Sequence, residues 1–317
     1  DDVESHFSLR WSTLVTLLKL SPAHLNLMLS KTFMSASQSM QSLETARAGC
    51  FGMVAALQKI DFIDHNFAVL PKGLMVQHLL TPFDPVLFVE SVTSPLMPSV
   101  AFCHLSVPHI VAVCSAFVSE GRPTRQKAPI RRGDSFTCAA EVWRENEITI
   151  CGEVLRFGES EEVLVCSYCR TSMYWSAAMA TETGPDFLCF PKDLPAPVQA
   201  TLFRCDQVAK QLRETLVQCG CSTGSASKLV FKHPLNTQFS LAALLWAGGA
   251  EFTDVVQAVS WGSTSIRDIG GEGALIRMLL RVDEFLREFA QFLRNSLGYN
   301  ELAKALQSVR QNFKRGF

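Results

Sequence analysis

Two hydrophobic periods divide this chain. Between Arg132 and Trp175 the chain reads as short strand-like runs rich in Val, Ile, Thr, Phe and Cys, and over most of the remainder apolar residues recur three or four apart. In the first zone Phe136, Cys138, Ala140 and Val142 alternate with Ser135, Thr137, Ala139 and Glu141. Such alternation predicts a strand with one buried face. Three strand-like runs follow: Ser135 to Trp143, Glu147 to Phe157 and Val163 to Tyr174. The polar breakers Arg144-Glu145-Asn146 and Gly158-Glu159-Ser160 are short enough for hairpins, so the zone predicts an antiparallel meander.

Helical spacing governs the flanks. Ser21-Pro22 supplies a cap and a first-turn proline, with Leu25, Met28, Leu29 and Phe33 on one face behind them. A second helix is predicted over 43–59 and a third over 101–120, where Val107, Ile110, Val111, Cys114 and Phe117 share a stripe. The strongest pattern runs from Gly273 to Asn295. Its apolar face, from Leu275 and Ile276 through Leu280 to Phe292 and Leu293, is wide enough to predict burial on more than one side. Prolines 71, 82, 85, 95 and 98 interrupt residues 61–100, within which the β-branched run Val86 to Val92 predicts a short strand. Four prolines within 184–197 predict a linker.

The composition adds two constraints. Hydrophobic residues make up 48% of the 317 and charged ones 19%, a balance that supplies a large core and favours cover of some apolar surface by partner subunits. A net charge of -1 excludes a globally basic nucleic-acid binder but leaves room for a local patch. No run of about 18 apolar residues suggests a membrane span. Eleven cysteines without a framework spacing predict free thiols in a reducing compartment. The first residue is Asp rather than Met, compatible with removal of a transit peptide, with trimming, or with being part of a longer chain; a mitochondrial setting is the expectation, with another reducing intracellular compartment as the alternative.

The order of an apolar helix (101–120), then Pro129-Ile130-Arg131-Arg132-Gly133-Asp134, then three strands resembles the hotdog fold of acyl-CoA thioesterases and dehydratases. The resemblance covers roughly residues 84–176. It implies an α+β architecture, with an antiparallel sheet wrapped around a central helix and helical N- and C-terminal extensions. The corresponding domains are 1–80, a helical extension; 81–178, the hotdog-like unit; and 179–317, a linker with a helical region. It also implies pairing with a second hotdog domain. Family chemistry requires a carboxylate on or near the central helix to serve as general base. This helix carries His104, His109, Cys114 and Ser115 but no acid before Glu120, and the family's His-Gly-Gly sequence is absent. No catalytic residue is therefore assigned, and no cofactor.

Several local motifs reduce to structural roles. Cys166 and Cys169 lie three apart on a predicted strand, on opposite faces, and do not converge on a metal. Asp61, Asp64 and His65 fall where turns and caps are expected. Gly270-Gly271-Glu272-Gly273 lacks the Lys and Ser/Thr of a phosphate loop and predicts a helix start. No metal site is assigned. The basic run Arg122, Arg125, Lys127, Arg131 and Arg132 is the candidate anion-binding site, suited to the phosphates of RNA or of coenzyme A, and equally suited to protecting an edge strand. The expected function is a non-catalytic structural subunit of a large protein or ribonucleoprotein assembly. The alternatives are an acyl-CoA thioesterase or dehydratase using His104 or His109 with an acid from a neighbouring subunit, and an RNA-binding accessory factor.

Overall fold

The computed structural model describes residues 14–15, 51–93, 102, 105–118, strand segments between 125 and 191, 193–220, 235–259 and 271–314. The N-terminal helix predicted from Ser21 lies outside them, as do His104, Arg122 and Cys169. Helix α1 (residues 51–59) covers the described part of the helix predicted over 43–59. It ends where Asp61 takes a left-handed φ of 59°. The following turn is built by Asp64, whose Oδ1 accepts from the amides of Asn66 and Ala68, both at 2.8 Å. That is the turn-forming role expected of this Asp-rich segment. Helix α2 (Pro71–Gln77) starts on its proline. Gly73 lets it pass close to the chain before it, since a Cβ there would run into the Phe62 carbonyl oxygen.

Residues 85–93 form a helix, α3 (Pro85–Thr93), and not the strand predicted from Val86 to Val92. Two local signals outweigh the β-branched content. The Asp84 carboxylate accepts from the Leu87 amide at 2.9 Å, capping the first turn, and Pro85 occupies the first helical position.

Helix α4 (Val107–Val118) is the predicted apolar helix, and every residue from Ile110 to Val118 is buried. Its surroundings overturn the hotdog expectation. Its principal neighbours are other helices: α5 (Ala196–Gln218), α6 (Ser240–Gly248) and α8 (Gly271–Phe292). A helix that is apolar all round needs cover all round, and cover by helices satisfies that as well as cover by a curved sheet. The remaining helices are α7 (Phe252–Val259) and α9 (Asn300–Phe313), with α9 packed on α8 and α6. A π-helical turn, Leu293–Leu297, extends α8, and Gly298 (φ 72°) stops it in the left-handed region.

The strands form an insert between α4 and α5. They are β1 (Arg125–Lys127), β2 (Ile130–Arg132), β3 (Ser135–Thr137), β4 (Glu141–Arg144), β5 (Glu147–Ile150), β6 (Val154–Phe157), β7 (Val163–Cys166), β8 (Thr171–Tyr174) and β9 (Asp186–Pro191). Each long run predicted as one strand is divided into two. β4 and β5 pair as a separate hairpin, with Arg144 opposite Glu147. The other seven follow the order β1-β9-β8-β7-β6-β3-β2, with antiparallel pairing throughout. β9 occupies the proline-rich stretch predicted as a linker, and its Pro191 closes the strand. The insert meets the helical body through β8 and β9 against α5 and through β9 against the 3-10 turn Thr237–Phe239.

At the centre of the helical body the Phe88 ring meets Phe117, Phe285 and Phe289 edge-on, with centroids 5.0, 4.7 and 5.0 Å away. A polar seam ties α4 to α6. The Ser115 hydroxyl donates to the Ala112 carbonyl at 2.7 Å and lies 3.3 Å from the Ser240 hydroxyl. Nearby, the Asn236 amide donates to the Ala116 carbonyl at 3.0 Å. Glu288 of α8 holds the loop before α3. Its carboxylate accepts from the Leu80 amide at 2.9 Å, the Thr81 amide at 3.0 Å and the Thr81 hydroxyl at 2.9 Å. Replacing Glu288 with Ala is expected to cost about 2 kcal/mol, because water satisfies only part of what the carboxylate accepts. Urea unfolding of the variant checks it, and a loss under about 0.5 kcal/mol would assign the loop to other contacts.

Candidate functional site

The apolar stripe predicted from Gly273 to Asn295 is buried against α4 and α9 through Leu275, Leu279, Val282, Phe285, Leu286 and Phe289. Burying that stripe fixes what faces outward. At helical spacing the exposed positions are Arg277, Leu280, Glu284, Arg287, Gln291 and Arg294. From Arg277 to Gln291 this line rises about 21 Å along the helix, at about 1.5 Å per residue. Leu280 departs from the sequence expectation: it belongs to the predicted apolar face yet is 50% exposed.

The charges on this face are partly held and partly open. Arg281, half-buried beside the line, places its guanidinium 4.9 Å from the centroid of the Phe83 ring. Arg287 donates to Glu284 at 3.0 Å, and Arg294 donates to the Gln307 amide oxygen at 3.1 Å. Asp283 contributes no free negative charge, being gripped by Arg310 of α9 through two bonds of 2.7 and 3.0 Å. That fork fixes α9 against α8 and so fixes the rotation of the basic line. Phe83 lies under Arg281, one turn after Arg277, and Tyr299, 40% exposed, follows the π-helical turn in sequence. A guanidinium against a partly exposed aromatic ring is a pairing that can receive a phosphate or a base.

Sequence reasoning missed this line. Its signal was present, since Arg277, Glu284, Arg287, Gln291 and Arg294 fill the gaps between apolar residues, but the charges are spread over 18 residues and never form a run. The run that sequence reasoning did select is divided by the structure. Arg125 and Lys127 lie on β1, while Arg131 and Arg132 lie on β2. These strands occupy opposite ends of the seven-stranded order.

Of the residues weighed for thioester chemistry, Cys114 and Ser115 are buried in the helical body. Burial pushes the Cys114 thiol far above its ordinary range, and the neighbouring Cys205 thiol up to about 12. Both are protonated packing groups. His109 is only half-buried, on the first turn of α4.

The described residues outside the insert form a helical body with a line of arginines along one long helix. Residues 137–317 match the family model of the DSHCT (NUC185) domain, a helical domain of the C-terminal region of Ski2-like helicases. The match takes in more than half of the chain, which belongs to the DSHCT (NUC185) family. This replaces the thioesterase and dehydratase resemblance. Helix 107–118 is covered by helices that lie within the matched region, and the Gly133-Asp134 turn that suggested a hotdog sheet precedes the match. No curated protein matches the chain. The family ties it to RNA-related, helicase-associated complexes, and among the described residues no helix is long and apolar enough to cross a membrane.

Proposed function

We propose that this chain is a non-catalytic RNA-handling part of a Ski2-like helicase assembly, and that the exposed face of α8 contacts single-stranded RNA. The observation that carries the reading is the line Arg277, Arg281, Arg287 and Arg294 with Phe83 stacked under Arg281. Membership of the family supports the helicase context. The role is positioning: a rigid helix, buttressed by α9 through Asp283 and Arg310, offers a strip of cations to a strand delivered or withdrawn by a motor domain. The exposed Leu280 and the apolar bulk of the chain fit contact with the remainder of such an assembly.

Fluorescence anisotropy with a labelled single-stranded RNA tests this reading. Removing three phosphate-binding groups worth about 1 kcal/mol each predicts binding weaker on the order of a hundredfold in the triple variant Arg277→Gln, Arg287→Gln, Arg294→Gln. All three side chains are exposed, so folding is expected to survive. Unchanged affinity in the folded triple variant would remove α8 as the contact.

A further inference from the structure

The loop between α2 and α3 is fastened along one edge of α8. Glu288, buried in α8, accepts from the Leu80 and Thr81 amides and from the Thr81 hydroxyl. Two residues further on, the Phe83 amide donates to the Phe117 carbonyl at 3.1 Å, and the Phe83 ring lies under the Arg281 guanidinium. Glu288 and Arg281 are seven residues apart and share one edge of the helix. The loop meets Glu288 at Thr81 and Arg281 at Phe83, so it runs against the direction of α8 over about 10 Å, at about 1.5 Å per residue.

The opposite edge belongs to α9. Asp283 and Arg294, eleven residues apart and again on one edge, are bonded to Arg310 and Gln307. At about 100° per residue, an outer sector of about 120–160° separates the two edges, and Leu280, Glu284, Arg287 and Gln291 fall within it. The exposed face of α8 is thus the floor of a valley, with loop 80–83 as one wall and α9 as the other. The two sides differ in chemistry. Leu80, 77% exposed, and the half-buried Phe83 line the loop side, while Arg287 and Arg294 stand toward α9.

Leu80 adds little to the fold from this position. Its neighbours Leu79 and Pro82 are buried, yet its own side chain is kept in solvent by a backbone fixed to Glu288. Covering it with a flat apolar group is favourable, and the loop needs no further ordering to receive one. We propose that the valley orients single-stranded RNA, with bases turned to Leu80 and Phe83 and the sugar–phosphate backbone turned to Arg287 and Arg294. The proposal rests on the reading that α8 contacts RNA, and adds which side of the strand faces which wall. Four arginines against the one exposed glutamate, Glu284, make the face from Arg277 to Arg294 complementary to a polyanion. A single strand carries flat bases on one side and charge on the other, the same division that the walls present. The loop's length of about 10 Å matches roughly three stacked nucleotides at about 3.4 Å each. Duplex RNA hides its base faces and gains no such contact with Leu80.

The test compares wild type with Leu80→Ser and Leu80→Tyr by fluorescence anisotropy at several salt concentrations. The probes are a labelled oligoadenylate and an abasic ribose–phosphate oligomer of equal length. Leu80 is exposed, so both variants are expected to fold. Leu80→Ser is expected to weaken oligoadenylate binding about fivefold with the slope of log affinity against log salt unchanged. Leu80→Tyr is expected to tighten it by about as much, since a ring there stacks on a base. Neither change is expected to alter binding of the abasic oligomer. Equal effects on the two oligomers, a changed salt slope, or wild-type affinity for oligoadenylate in both variants overturns the proposal. A wild-type dimer in sedimentation that Leu80→Ser dissociates would make Leu80 a contact between copies, and also overturns it. Loss of binding in the arginine triple variant with no response to Leu80 would leave the proposed function standing without the oriented valley, whereas wild-type protein that binds no RNA would remove both.

Discussion

Replacing Phe88 with Ala is expected to destabilise the chain by about 3–5 kcal/mol, a large share of a typical domain's stability. The ring is fully buried and is the point where three helices meet. It lies edge-on to Phe117 of α4 and to Phe285 and Phe289 of α8, all within 5.0 Å, with Phe102 at 6.4 Å. Removing it opens a cavity lined by rings that are themselves fixed by packing, so collapse recovers little of the loss. Phe88→Leu keeps most of the volume and is expected to cost roughly half as much. Urea unfolding of the three proteins checks the order, and equal midpoints for Phe88→Ala and wild type would mean that the cluster is not a stabilising centre. The functional consequence is indirect. Phe285 and Phe289 lie on the buried side of the helix that carries Arg287 outside, so loosening the cluster also loosens the basic line.

How much of this was legible beforehand differs from element to element. Helix 107–118 and the long C-terminal helix followed from three-and-four spacing, because a buried stripe leaves the same trace whatever covers it. What covers it leaves none, and for that reason the fully buried Ile110–Val118 stretch fitted a hotdog sheet on paper and a helical body in fact. The segment 86–92 misled through its valines, although Asp84-Pro85, the cap and first-turn proline of α3, stood immediately before it. The strand-forming zone from 135 to 174 was readable, while its division into shorter strands, β9 and the strand order were not. That β1 and β2 lie at opposite ends of the sheet depends on β9, some 55 residues away, in a stretch whose prolines suggested a linker. The line on α8 was written at helical spacing, where a search for dense charge does not look.

Stability is expected to fall as pH rises through the weakly acidic range, with Asp84 as the responsible group. Its carboxyl is pushed up to about 7 by burial, which outweighs the lowering effect of the Leu87 and Val86 amides. One oxygen caps α3, while Oδ2 is buried without a hydrogen-bond partner. An unpaired buried oxygen favours the neutral acid, since charging it there forfeits hydration that the cap alone does not replace. The folded state thus binds this proton more tightly than the unfolded chain, where the ordinary value is 3.8. Its contribution is complete below about pH 4, declines as pH rises, and is exhausted above about pH 7, a swing of roughly 4 kcal/mol. About 2–3 kcal/mol of that swing falls between pH 5 and 8. Asp84→Asn retains the capping oxygen and cannot ionise. The difference in unfolding free energy between wild type and variant should therefore shift toward the variant by that amount over the interval. A parallel pH dependence in the two proteins would assign the titration elsewhere. The effect bears on the proposed interface because Asp84 follows Phe83, the ring beneath Arg281. Ionising Asp84 strengthens its bonds to the Leu87 and Val86 amides but leaves a dehydrated charge beside that ring, and the cost should appear as a lower unfolding midpoint in wild type than in Asp84→Asn over the same interval.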